Sequence, residues 1–126
     1  MNIISSRELV RNMLPGLAHQ TLAGPEHGLR GLAVWSQNID PGAATPPHRH
    51  DCEEVVVVLD GEGTLLVGGA ERRFRSGDTI SLPPNEVHQL INTGSGPLRL
   101  IAAFNMSPVR VELPDGTPIQ LPWQDG

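Results

Sequence analysis

The stretch PGAATPPHRHDCEEVVVVLDG, residues 41–61, sets two histidines one residue apart, adds carboxylates, and passes directly into four valines. Side chains on a strand alternate between faces with a period of two. A strand beginning near Pro47 therefore turns His48, His50 and Glu54 to one side with Val56 and Val58, and Arg49, Asp51 and Glu53 to the other. Unpaired polar groups on an apolar face lose roughly 2–7 kcal/mol of hydration each. A divalent cation removes that penalty, and the question becomes what completes its coordination.

A fourth ligand is expected from a neighbouring strand, and His88 is the candidate. It follows the turn Pro83-Pro84-Asn85-Glu86 and shares parity with Leu90 and Asn92. Three neutral imidazoles and one carboxylate suit one divalent transition metal (Fe, Mn, Ni, Cu or Zn) and leave positions open for water or a substrate. Open positions point to chemistry or ligand capture. Glu53 takes the place of Glu54 only if a bulge after His50 shifts the alternation. Cys52 shares the ligands' parity, but a small buried thiol is expected to pack rather than react. His19 and His27 have no partner at ligand spacing and fall outside the site.

Beyond this stretch, the 126 residues include 14 glycines and 12 prolines, too many for a helical bundle and well suited to short strands joined by tight turns. An all-β fold follows, with a core of Val, Leu and Ile because aromatics are scarce. LAVWSQNI (32–39) reads as a strand ended by Asp40-Pro41-Gly42. Residues 53–78 read as strand, turn, strand, turn, strand, with Gly61 and Gly63 at the first reversal and Gly68-Gly69 as a two-residue hairpin. TISLP and VHQLIN flank the proline turn, and a long strand follows the loop after Asn92. Turn signals every 8–12 residues or so suit a sandwich or barrel. Ser5 or Ser6 is expected to cap a short helix running through Met13 and stopped by Leu14-Pro15-Gly16. Interior parity takes in Val56, Val58, Leu82, Leu90, Leu100 and Phe104, and Gln89 and Asn92 are expected to satisfy backbone groups.

The length is that of one domain. The expected division is an N-terminal extension over 1–30 packing on the barrel, a core over 31–107, and a tail over 108–126 on the barrel surface or at a dimer interface. The tail's Ile119, Leu121 and Trp123 would cover a sheet face or a neighbouring subunit. The formal charge is -5, every one of the nine basic residues is arginine, and only Arg72, Arg73 and Arg75 cluster, which argues against a nucleic-acid partner. No apolar run approaches the ~20 residues of a membrane span. The first residues lack the order of a secretory signal, and a single cysteine excludes an internal disulfide, so a cytoplasmic protein is expected.

The spacing resembles the cupin superfamily. Gly42, His48, His50, Glu54 and Gly61 match its first motif, and Gly77, Pro83, His88 and Asn92 its second. Asn85 stands where the family pattern has glycine, and asparagine also enters left-handed backbone angles. The resemblance covers residues 41–92 and implies a double-stranded β-helix (jelly-roll) cupin barrel of the cupin 2 conserved-barrel type, with a short N-terminal helix or extension. It also implies one metal on the matching residues His48, His50, Glu54 and His88, and a homodimer. The leading functional expectation is an oxygen-using dioxygenase on a small enol, diketone or phenolic substrate, since such a compound can chelate the metal while the protein supplies few other groups. An isomerase or lyase on a sugar or hydroxy acid would need a separate base, and a non-catalytic small-molecule-binding cupin is the remaining alternative.

Overall fold

The computed structural model describes residues 1–123; residues 124–126, the end of the tail, lie outside the described residues. Nine strands occur there: β1 Asn12–Leu14, β2 Leu17–Ala23, β3 Ala33–Ile39, β4 Glu54–Asp60, β5 Glu62–Val67, β6 Ala70–Arg75, β7 Thr79–Leu82, β8 His88–Asn92 and β9 Leu98–Phe104. They form a six-stranded sheet in the order β1-β2-β3-β9-β4-β7 and a three-stranded sheet in the order β6-β5-β8. Every pairing is antiparallel. Residues 44–48 run along the remaining edge of β8 through bridges at Ala44↔Ile91 and His48↔His88. From β4 onward the chain passes repeatedly between the sheets, which is the double-stranded β-helix of a cupin barrel.

Alternation decides what lies between the sheets. On β4, Glu54, Val56 and Val58 are buried while Val55, Val57 and Leu59 are exposed. On β9, Leu98, Leu100, Ala102 and Phe104 are buried, and Leu82 and Leu90 meet them from β7 and β8. Each such fully buried aliphatic side chain contributes about 1.5–3 kcal/mol. The interior parity expected for Val56, Val58, Leu82, Leu90, Leu100 and Phe104 is the observed core.

Two local expectations are corrected. No helix runs to Met13: Ser5 accepts from the Arg7 amide and caps a single 3-10 turn, Ser6–Glu8, after which Leu9 is extended. Asn12–Leu14 is strand β1, and Pro15-Gly16 turns a hairpin into β2, with Gly16 at φ 73. A segment this short cannot recover the nucleation penalty of a helix, whereas an adjacent strand offers ready-made hydrogen-bond partners. Gly61 likewise makes a corner rather than a hairpin, because β4 and β5 belong to different sheets. The reversal at Gly68-Gly69 is a true hairpin, with both residues at positive φ. Asn85 occupies the left-handed region at φ 64, as its place in the second motif requires.

Gly63 has no room for a side chain. A Cβ there would lie 2.4 Å from the Ile91 carbonyl oxygen and 2.6 Å from Phe74 Cζ. Gly63→Ala is expected to destabilise the fold by about 1–3 kcal/mol through overpacking, read as a lower urea midpoint at unchanged slope.

Candidate metal centre

Three parts of the chain bring the site together. His48 and His88 exchange both backbone hydrogen bonds, at 3.0 and 2.9 Å, so their side chains share one face, with ring centroids 4.3 Å apart. His50 follows, held by its carbonyl, which accepts from the Asn85 amide at 2.7 Å. Glu54 opens β4 opposite Leu82 and Phe104. The chain between His50 and Glu54 bends instead of continuing as strand, yet both side chains arrive on the interior side.

The ring nitrogens of His48, His50 and His88 lie within 4.8 Å of one another. Each Nδ1 donates to a backbone carbonyl: His48 to Pro46 O at 2.7 Å, His50 to Arg110 O at 2.9 Å, and His88 to Glu86 O at 2.9 Å. A carbonyl can only accept, so these bonds place the proton on Nδ1 and leave a lone pair on each Nε2 when the ring is neutral. Glu54 Oε1 stands 3.4 Å from His50 Nε2 and 3.3 Å from His88 Nε2. Neither Glu54 Oε1 nor His88 Nε2 makes a hydrogen bond, although both are buried.

The electrostatics follow from this crowding. Burial, aided by nearby His88, pushes His48 down to about 4, and burial also lowers His50. Burial alone would raise the Glu54 carboxyl, but the surrounding imidazoles outweigh it and hold that group below its ordinary value. Burial acts to lower His88, and the Glu54 carboxylate overrides it and raises the ring. Without an ion, an anionic Glu54 thus relies on His88 as its counter-charge. The donor chemistry fits a divalent transition metal: three oriented imidazoles and one carboxylate, whose buried Oε1 lies beside His50 and His88 without a hydrogen bond.

Glu54, not Glu53, faces the histidines. Glu53 is exposed, and its amide donates to Asn105 Oδ1. Cys52 is packed in the core, where burial and then Glu54 raise its thiol to about 11. Gln89 donates to Thr45 O, and Asn92 donates to Ile39 O and Gly96 O, so both satisfy backbone groups as expected. His19 is enclosed away from the cluster, with Nε2 2.9 Å from Thr21 Oγ1 and Nδ1 3.3 Å from Gln37 Nε2.

A cavity of about 80 Å³ opens against His48, His50 and Glu54. Its walls include Trp35, Leu90 and Phe104 from the barrel, and Val111, Ile119, Leu121 and Trp123 from the C-terminal segment. Trp123 also stacks on His19 at a centroid distance of 3.6 Å. The sequence leads Ile119, Leu121 and Trp123 to a sheet face or a neighbouring subunit, and the structure sets them on the cavity wall. Their alternation signalled an extended segment with one apolar side, but not the surface it meets.

A family model described as auxin binding protein matches residues 4–120. The chain belongs to this family of the cupin superfamily. Auxin-binding protein 1 of Arabidopsis thaliana is 38% identical over 107 residues, covering 77% of this chain and 54% of that protein. The chain thus spans about half the length of that relative. The polyketide cyclase RemF from Streptomyces resistomycificus superposes with a TM-score of 0.75 at 19% identity, covering 98% of this chain and 88% of the other. A cupin 2 conserved barrel domain protein from Salinispora arenicola gives 0.67 at 23% identity, covering 82% and 86%. These two structures share the fold of this auxin binding family member. Among the described residues no helix is long and apolar enough to cross a membrane.

Proposed function

We propose that this chain holds one divalent transition metal on His48, His50, Glu54 and His88 and uses it to capture a small ligand. The ligand would bring an oxygen donor to the metal and lay a flat apolar body against the tryptophan-lined wall. The observation that carries this reading is the set of three carbonyl-fixed imidazoles converging beside a buried carboxylate oxygen that lacks a hydrogen bond. The bound ion would supply Lewis acidity and an attachment point. The relatives' designation as auxin-binding proteins supports capture of a small molecule.

The dioxygenase reading, on an enol, diketone or phenol, comes second. It is favoured by the position of the cavity on the His48, His50 and Glu54 side, where dioxygen and a coordinated compound would meet the same ion. Capture ranks first because the cavity offers no idle acid or base. Besides the proposed ligands and the indole N–H groups of Trp35 and Trp123, which are neither acid nor base, its polar side chains are Gln37, engaged with His19, and Thr45, whose hydroxyl accepts from the Leu90 amide. The same shortage disfavours an isomerase or lyase.

As part of this proposal the chain works as a homodimer in the cytoplasm, without nucleic-acid or membrane partners. The exposed Val55, Val57 and Leu59 on the outer side of β4 offer an apolar surface for a second copy, and the single buried, free cysteine leaves the fold independent of an oxidising compartment.

Elemental analysis is expected to find one ion per chain. Calorimetry with aromatic carboxylates, diketones and phenols is expected to give binding that chelation abolishes, with no oxygen uptake. Oxygen consumed in step with a diketone or phenol would promote the second reading, and binding that survives complete removal of the ion would overturn both.

A further inference from the structure

The residue between the first two histidines is tied to the C-terminal segment twice. Arg49 and Glu112 exchange both backbone hydrogen bonds, each 2.9 Å. Their side chains then meet, with Arg49 Nε donating to Glu112 Oε1 at 3.0 Å. Among the described residues this is the one ion pair that an arginine makes.

What this tie holds in register matters to the centre. Two residues before Glu112, the Arg110 carbonyl accepts from His50 Nδ1. One residue before it, Val111 reaches the cavity. Residues 111–119 then form a hairpin, with the Leu113 amide donating to Thr117 O and the Ile119 amide to Val111 O, each 2.8 Å. Gly116 turns this hairpin at φ 91, and a Cβ there would sit 3.0 Å from Arg49 Nη2, so the guanidinium lies under the turn. The returning arm delivers Ile119, and beyond it Leu121 and Trp123, to the cavity wall.

A slip of this segment would take the acceptor away from His50 and free the ring to adopt its other tautomer, with the lone pair on the wrong nitrogen. The Arg49–Glu112 pair is about a quarter exposed, at 29% and 28%, and such pairs add only about 0.2–1 kcal/mol to overall stability. Its larger effect lies in register. We propose that Arg49 and Glu112 are positioning residues for the metal centre: their pairing seats the C-terminal segment, and through it the His50 tautomer and the cavity wall. This inference rests on the metal reading above.

The test is competition of Zn(II) against a chelator for the wild type, Arg49→Gln, Glu112→Gln and the charge swap Arg49→Glu/Glu112→Arg. If charge near the ion were all that mattered, Arg49→Gln would tighten binding and Glu112→Gln would weaken it. Positioning requires both single variants to weaken it, each by about 10-fold, the lower end of the effect of groups that orient metal ligands, and requires the swap to restore it. Opposite signs for the two variants, unchanged affinities, or a swap that fails to restore would each overturn the inference. Thermal midpoints of the metal-free variants close to that of the wild type identify the loss as one of positioning; midpoints that fall in proportion to the affinity overturn it. A wild type that takes up no Zn(II) removes the metal reading itself, whereas a wild type that binds it beside unaffected variants removes only this inference.

Discussion

Glu54→Gln is expected to lower metal affinity on the order of 10²–10³-fold. A closed four-ligand site is worth roughly 10–16 kcal/mol, so each ligand carries about a quarter of that, and 1.4 kcal/mol is tenfold. Alanine at His48, His50 or His88 should act similarly. Glutamine at 54 is the sharper probe because it keeps the shape of the side chain while removing its charge. In the metal-free protein Glu54 is the counter-charge of His88, and once the carboxylate is gone His88 can release its proton and remain buried as a neutral ring. The variant should therefore match the wild type in thermal midpoint without metal and fall behind it only when metal is added. Equal gains in midpoint on metal addition for the two proteins would show that Glu54 is not a ligand.

Acid is expected to destabilise the metal-free protein from about pH 6.5 downward, and His19 is the main cause. Burial pushes this ring down to about 3 from its ordinary 6.5, and only 1% of its surface is exposed. A folded-state value below the unfolded one means that, between these two points, the unfolded chain takes up a proton that the folded chain refuses. Stability from His19 is thus fully present above 6.5 and declines by about 1.4 kcal/mol per pH unit until the folded value is reached, a total of several kcal/mol. His48, at about 4, and His50 act with the same sign. His88 opposes them, because its folded value is raised and its contribution is present below 6.5. His19→Gln keeps an amide for Thr21 and Gln37 and removes the titration. Denaturant unfolding at steps from pH 7 to pH 4 should show a visibly flatter decline for this variant, and an unchanged slope would refute the assignment to His19.

The four clustered residues were legible because a period of two survives local irregularity. His48 lies on a bridge and Glu54 on a strand, with a bend between, yet every even-numbered position from His48 through Val58, Cys52 included, is buried. The second motif was readable from the spacing of Gly77, Pro83, His88 and Asn92, and Asn85, the departure from its pattern, takes the left-handed angle in the turn that precedes His88. What could not be read depends on distant partners. Residues 12–14 became a strand because β2 lies beside them, Gly61 became a corner because β9 closes against β4, and the tail's apolar residues found the cavity because Glu112 docks on Arg49. The enclosure of His19 between Trp35 and Trp123 follows from tertiary packing alone.

The placement of the two tryptophans has an optical consequence. The chain contains no tyrosine and only these two indoles, and both border the cavity. Ultraviolet emission from this protein therefore originates almost wholly beside the histidine cluster, so the wavelength and intensity of that light form a built-in, label-free gauge of what enters.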